Sequence, residues 1–138
     1  MSLREIMSKD ITSLPKAAAV SDAAKFMTDM NVGSVIVMED DKPLGLLTDR
    51  DIVSKVIAYG KDLKTTAIGE VMVSPIITVS EEKDIVEVTR LMSEHGIRRL
   101  PVVDAGGKVV GVVSLDDILV ILGKEMQNIA NALKKELE

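Results

Sequence analysis

An internal repeat constrains this chain more than any other feature. Aligned from Leu3 and from Ile68, the two halves keep one register, with a single extra residue in the second half. Glu5 and Met7 match Glu70 and Met72, Met27 matches Met92, and Val37 matches Val102. Past the extra residue, Lys42, Gly45, Asp51 and Ile52 match Lys108, Gly111, Asp117 and Ile118. Identities are few, but residue class agrees almost throughout, and the chain is therefore two copies of one unit.

Each copy reads as a helical turn, a short strand (11–14 and 76–79), a helix, two strands joined by a tight turn, and a second helix. This is a β-α-β-β-α unit, and the fold class expected is α/β. In the second copy the first helix carries Ile85, Val88, Thr89, Met92 and His95 at helical spacing. Asp84 with Glu87 reads as a cap pair at its start, and Gly96 ends it. The first copy has Ala19 in place of Asp84, so that helix lacks a side-chain cap unless Ser21 and Asp22 substitute one turn later. Asp40-Asp41-Lys42 and Ala105-Gly106-Gly107 separate apolar runs and read as hairpin turns. The expected organisation is repeat 1 over 1–60, a polar linker over 61–67, repeat 2 over 68–123 and an appended helix over 124–138. That last helix has Met126, Ile129, Ala130, Leu133 and Leu137 along one face. Such a stripe needs a partner surface: its own domain, a dimer mate, or another protein on which it docks.

With 138 residues, the chain can bury a core without disulfide or metal staples. That core has to be aliphatic. Hydrophobic residues make up 46%, yet Phe26 and Tyr59 are the only aromatics, beside eight Met. This argues against the aromatic platforms that stack single-stranded nucleic acid. Cysteine is absent and His95 is the only histidine. Disulfides, thiolate nucleophiles, Cys-ligated zinc and any Ser-His-Asp or Cys-His constellation within one chain are excluded, while carboxylate-only metal sites stay open. Seventeen Lys and Arg against twenty-two Asp and Glu give a net charge of −5, which repels a polyanionic duplex, so nucleic acid is not an expected partner. Apolar runs such as 35–38 and 109–113 fall far short of the roughly 18 residues that cross a bilayer. The N-terminus lacks the apolar core of a signal peptide, and the expectation is a cytoplasmic protein with no membrane association.

The segment Gly96-Ile97-Arg98-Arg99-Leu100-Pro101-Val102-Val103-Asp104, followed by Gly111-Val112-Val113-Ser114-Leu115-Asp116-Asp117-Ile118, resembles the cystathionine-β-synthase (CBS) domain family. The first copy repeats it more loosely as Val32-Gly33-Ser34-Val35-Ile36-Val37 and Gly45-Leu46-Leu47-Thr48-Asp49-Arg50-Asp51-Ile52. Over about 3–122 the chain is similar to a tandem pair of such domains, a Bateman module. The resemblance implies two repeats related by a pseudo-two-fold axis, with strands at the centre and two clefts that hold adenine nucleotides or other adenosyl compounds. It also implies a regulatory, energy-sensing role, with the nucleotide as regulatory ligand, no cofactor, and a client protein elsewhere.

By the same resemblance, each cleft combines the acidic helix start of one repeat with the segment before the first strand of the other. One cleft would use Leu46, Thr48 and Asp51 with Ser74, Pro75, Ile76, Ile97 and Arg98. The other would use Val112, Ser114 and Asp117 with Lys9, Asp10, Ile11 and Gly33. Ile11 and Ile76 would sandwich an adenine, while the carboxylates accept bonds from ribose hydroxyls. Thr48 with Asp51, and Ser114 with Asp117, also fit a second reading, since a hydroxyl cap with an acid three residues on stabilises a helix start without any ligand. Arg98 and Arg99 stand between a helix end and an apolar strand, where cations do not build a core; guanidinium forks match phosphate oxygens. Their counterparts are Gly33 and Ser34, and Pro75 has Asp10 as its counterpart, so the clefts are expected to be chemically unequal.

Other readings of the same residues remain. Asp49, Asp51, Asp116 and Asp117 suggest a magnesium-responsive module, and a ligand-free dimerisation or interaction scaffold is the further alternative. His95 reads as a cation at a helix end or as a half-buried side chain. Gly106-Gly107-Lys108 lacks the spacing of a phosphate loop. With no nucleophile and base pair and no redox motif, an enzyme is not expected. Met27, Met30, Val53 and Ile57 exceed what a two-layer unit of this size covers, and a homodimer follows as an expectation.

Overall fold

The computed structural model describes residues 2–138. Each repeat builds one three-stranded sheet. In repeat 1, a short helix α1 (Leu3–Ile6) precedes β1 (Ser13–Leu14), α2 (Val20–Met30), β2 (Ser34–Glu39), β3 (Lys42–Thr48) and α3 (Asp49–Asp51), which widens into a π-helical segment over Ile52–Ile57. In repeat 2 the order is α4 (Ile68–Val71), β4 (Val79–Ser80), α5 (Ile85–His95), β5 (Arg99–Val103), β6 (Val109–Ser114) and α6 (Leu115–Leu137).

The sheets match in topology and register. β1 runs parallel to β2, with Ser13 opposite Ile36, and β2 runs antiparallel to β3, with Ser34 opposite Thr48. β4 runs parallel to β5, with Val79 opposite Val102, and β5 antiparallel to β6, with Arg99 opposite Ser114. Even the register slips recur at matched places, at Val37/Met38 and at Val102/Val103. The extra residue of the second copy lies in its hairpin turn. Asp40 and Asp41, both at positive φ, make a two-residue connection in the first copy, whereas the second uses a longer loop held by Asp104 Oδ1, which accepts from the Gly106 and Lys108 amides.

The two apolar cores do not follow the repeats in sequence. The first gathers Val20, Met27, Val35, Val37, Leu47 and Val56, and also Ile68 and Val71 of α4. The second gathers Val79, Val88, Leu100, Val102, Val113 and Ile118, and also Leu3 and Ile6 of α1. Each short helix therefore leaves its own repeat and completes the core of the other. Four backbone bridges fasten these crossings, Ser2 to Asp84, Ala19 to Ala67 and two reciprocal pairs. Ser8 and Val112 exchange N–H···O bonds of 2.9 Å, and Val73 and Leu46 exchange bonds of 2.8 and 2.9 Å. Such close approach explains the matched glycines, because a Cβ on Gly45 would stand 2.7 Å from the Val73 carbonyl oxygen, and one on Gly111 would stand 3.0 Å from that of Ser8.

Four local expectations are changed by the structure. The first strands are shorter than expected, two residues each, leaving Ile11 and Ile76 outside the sheets. The cap pair at α5 is not formed. Asp84 alone accepts from the Val86 and Glu87 amides, while Glu87 turns to Arg90, whose guanidinium holds its carboxyl below the usual carboxylate range. At α2 neither Ser21 nor Asp22 substitutes for a cap. The linker does so with its backbone, the Thr66 carbonyl accepting from Val20 N–H and the Leu63 carbonyl from Ser21 N–H, both at 2.9 Å. Finally, the appended helix is not a separate element: α6 runs unbroken through Gly123 to Leu137.

Candidate functional site

A cleft of about 800 Å³ opens between the repeats, where the starts of α3 and α6 face each other. Its wall from repeat 1 includes Asn31, Val32, Gly33, Ser34, Leu46, Thr48, Asp49 and Arg50, and from repeat 2 Gly96, Ile97, Arg98, Arg99, Ser114, Asp116 and Asp117, with Ser8 beside them. Three carboxylates (Asp49, Asp116, Asp117) and three guanidinium groups (Arg50, Arg98, Arg99) share this wall, so its formal charge is balanced.

Each half is built by the same strand-to-helix step. The first amide of the helix bonds to the residue before the neighbouring strand: Asp49 N–H donates to the Gly33 carbonyl at 3.0 Å, and Leu115 N–H to the Arg98 carbonyl at 2.8 Å. The third amide is capped by a hydroxyl: Asp51 N–H donates to Thr48 Oγ1 and Asp117 N–H to Ser114 Oγ, both at 3.1 Å. Beyond this the halves diverge.

In repeat 1 the helix start is closed on itself. The Asp51 carboxylate accepts from Thr48 N–H at 3.0 Å and pairs with Lys55 Nζ at 3.3 Å, and Asp51 is buried. Asp49 Oδ1 accepts from the Arg50 amide at 2.8 Å, so all three leading amides are used. In repeat 2 the cap is one-sided. Among the described residues the Asp117 carboxylate takes no hydrogen bond and no ion pair, and the Asp116 amide has no acceptor. Arg98 pairs with Asp116 at 3.2 Å while staying exposed, and Arg99 has no ion pair.

Of the residues the sequence singled out, Gly33, Leu46, Thr48, Ile97, Arg98, Arg99, Ser114 and Asp117 come together in this cleft. Asp51 turns away into its capping box, and Lys9, Asp10, Ile11, Ser74, Pro75, Ile76 and Val112 do not line the cleft. Their segments do cross between repeats as the resemblance implied, yet the crossing is used for backbone pairing and for burial of Val112. The residues that sequence reasoning missed include Asn31, Val32 and Arg50. The repeat register holds the signal for the first two. Asn31 and Val32 match Gly96 and Ile97, and Asn31 and Gly96 share the left-handed conformation that ends α2 and α5.

Among the described residues, no group of three or more His, Asp or Glu is placed to hold a metal ion. Asp49, Asp51, Asp116 and Asp117 are thus not gathered into one. No helix among the described residues is long and apolar enough to cross a membrane.

A duplicated β-α-β-β-α unit whose short helices are exchanged, with helix starts facing across one cleft, defines a class of paired-repeat modules. Comparison gives it a family. The CBS domain matches residues 3–58 and again 68–124, and the chain belongs to the CBS domain family as a tandem pair, a Bateman module. An uncharacterised protein of Methanopyrus kandleri is 39% identical over 137 residues, covering 98% of this chain and 69% of its own length. Hypoxic response protein 1 of Mycobacterium tuberculosis is 36% identical over 116 residues, or 83% of this chain and 80% of its own. A crystal structure of Hypoxic Response Protein I with two coordinated zinc ions superposes with a TM-score of 0.79 at 33% identity and covers 86% of this chain and 97% of the other. The CBS domain pair of protein MJ0100, in complex with 5′-methylthioadenosine and S-adenosyl-L-methionine, superposes with a TM-score of 0.80 at 28% identity, over 91% and 98% of the two chains.

Proposed function

We propose that this chain is a regulatory module that binds an adenosine-containing ligand, AMP, ADP, ATP or an adenosyl derivative, in the cleft between its repeats and signals occupancy to a client protein. The observation that carries this reading is the open helix start of repeat 2: an unpartnered carboxylate, a free amide and two arginines converge on a space of nucleoside size. Asp117 would accept from ribose hydroxyls, Arg99 and the Asp116 amide would take phosphate oxygens, and Ile97 and Val32 would hold the base. A similar pair holds two adenosyl compounds, which supports the ligand class. Because the cleft draws on both repeats, a ligand seated there favours one relation between them, which is the only way binding can switch anything.

The test is thermal unfolding of ligand-stripped protein against an adenosine panel, with mass spectrometry of small molecules that co-purify. At a hundredfold excess over its dissociation constant the ligand stabilises by about 2.7 kcal/mol. No shift with any adenosine compound at millimolar concentration rejects the sensor reading and leaves a ligand-free scaffold. The module is also proposed to be a homodimer through the exposed apolar side chains Met30, Val53 and Ile57 of repeat 1 and Leu119 of repeat 2. Light scattering of a chain ending at Gly123 checks this, and a monomer mass at micromolar concentration rejects it.

A further inference from the structure

The outer part of α6 has no surface to lie on. Every residue over 122–138 is exposed, so about 22 Å of helix projects past the domain. An isolated helical segment of this length is marginal in water, and a stable one needs a packed face. α6 supplies such a face in a definite register. Leu119, Leu122, Met126, Ile129 and Leu133 follow one another at alternating steps of three and four, and each is 45–70% exposed. These five positions make an a/d seam of about two heptads, which Ala130 and Leu137 widen on the same face.

We propose that the seam of α6 is occupied by the same helix of a second copy of this chain. Three observations select that occupant. The five seam positions carry no charge, and the positions beside them are mostly small, Gly123, Ala130 and Ala132, so two backbones can approach closely. Polar side chains face away from the seam, where Gln127 bonds to Asn131 at 3.0 Å. The charges of the projecting part cancel, Lys124, Lys134 and Lys135 against Glu125, Glu136 and Glu138. A helix that lies on an anionic membrane surface needs a cationic face, and a helix that selects a foreign partner uses charges beside its seam. A second copy, by contrast, offers an apolar seam of the same length and register at the same concentration. This goes beyond the ligand reading and does not depend on it.

The absence of cysteine makes the test direct. Met126→Cys and Ile129→Cys proteins, alone and mixed, are oxidised mildly beside the outer-face controls Lys124→Cys and Asn131→Cys, all in the full-length chain. Facing seam positions meet the geometric demands of a disulfide, and outer positions do not. The seam variants are expected to form covalent dimers at least tenfold faster than the controls. Equal rates, or no covalent dimer from any seam combination, overturn the proposal. As a second readout, Leu133→Asp should weaken self-association at least tenfold in sedimentation, with Lys134→Glu unchanged. An unaltered Leu133→Asp protein overturns it as well, and because Leu133 is exposed, folding is not at stake.

Discussion

Asp51 and Asp117 occupy matched positions and do different things. The difference lies one turn further on, where Asp51 has Lys55 and Asp117 has Ile121 at the fourth position. A cation at that place draws the first carboxylate inward and completes its capping box; an aliphatic side chain leaves the second with no such pull. Asp51→Ala should therefore cost about 0.5–2 kcal/mol of stability in denaturant unfolding while the affinity of the folded protein for a ribonucleotide stays unchanged. Asp117→Ala should fold normally and lose ribonucleotide affinity, with a smaller loss for the 2′-deoxy analogue in titration calorimetry. The reverse assignment of losses would sink the ribose role of Asp117. The sequence made the hydroxyl caps and the arginine pair legible, because residue type and spacing suffice for them. It did not reveal which way a carboxylate turns, since that is decided by competition among several local partners. Gly45 carries a second prediction at this scale. Gly45→Ala sets a methyl against the rigid Val73 carbonyl, so it should cost about 1–3 kcal/mol, visible as a lowered midpoint of thermal unfolding.

At the scale of elements, the two long helices of the repeats begin in different ways that the sequence only half announced. Ala19 showed that α2 lacks a side-chain cap, but not that the linker would cap it from 45 or so residues downstream, because backbone carbonyls carry no sequence signature. The prediction is asymmetric. Asp84→Ala at the start of α5 should cost about 0.5–2 kcal/mol, whereas Ala19→Ser at the start of α2 should gain nothing, since the Val20 and Ser21 amides already have acceptors. Chemical denaturation of the two variants checks this, and stabilisation by Ala19→Ser would contradict the linker's role. The strands and hairpins were legible from apolar runs and turn residues. The fusion of the last helix of repeat 2 with its extension was not, because Gly123 suggests a break and nothing local reports that the helix is continuous.

Over the whole molecule, the repeat pattern revealed the fold class and the paired architecture, whereas the exchange of α1 and α4 is a long-range property that no window of sequence contains. It has a measurable signature. Leu3→Ala, although in the first helix of repeat 1, should loosen repeat 2: about 2–5 kcal/mol of lost stability, with hydrogen exchange speeding up in α5 and β5 before β2. Faster exchange first in β2 would mean that α1 belongs to its own repeat after all. The same exchange sets an order of events as the chain is synthesised. Leu3 and Ile6 are made long before the surface that covers them is complete, since that surface includes Ile118, made more than a hundred residues later. Apolar residues of α1 thus wait for repeat 2 to be sheltered, and a nascent chain stalled in repeat 2 carries them bare to whatever chaperone or neighbouring chain is close by.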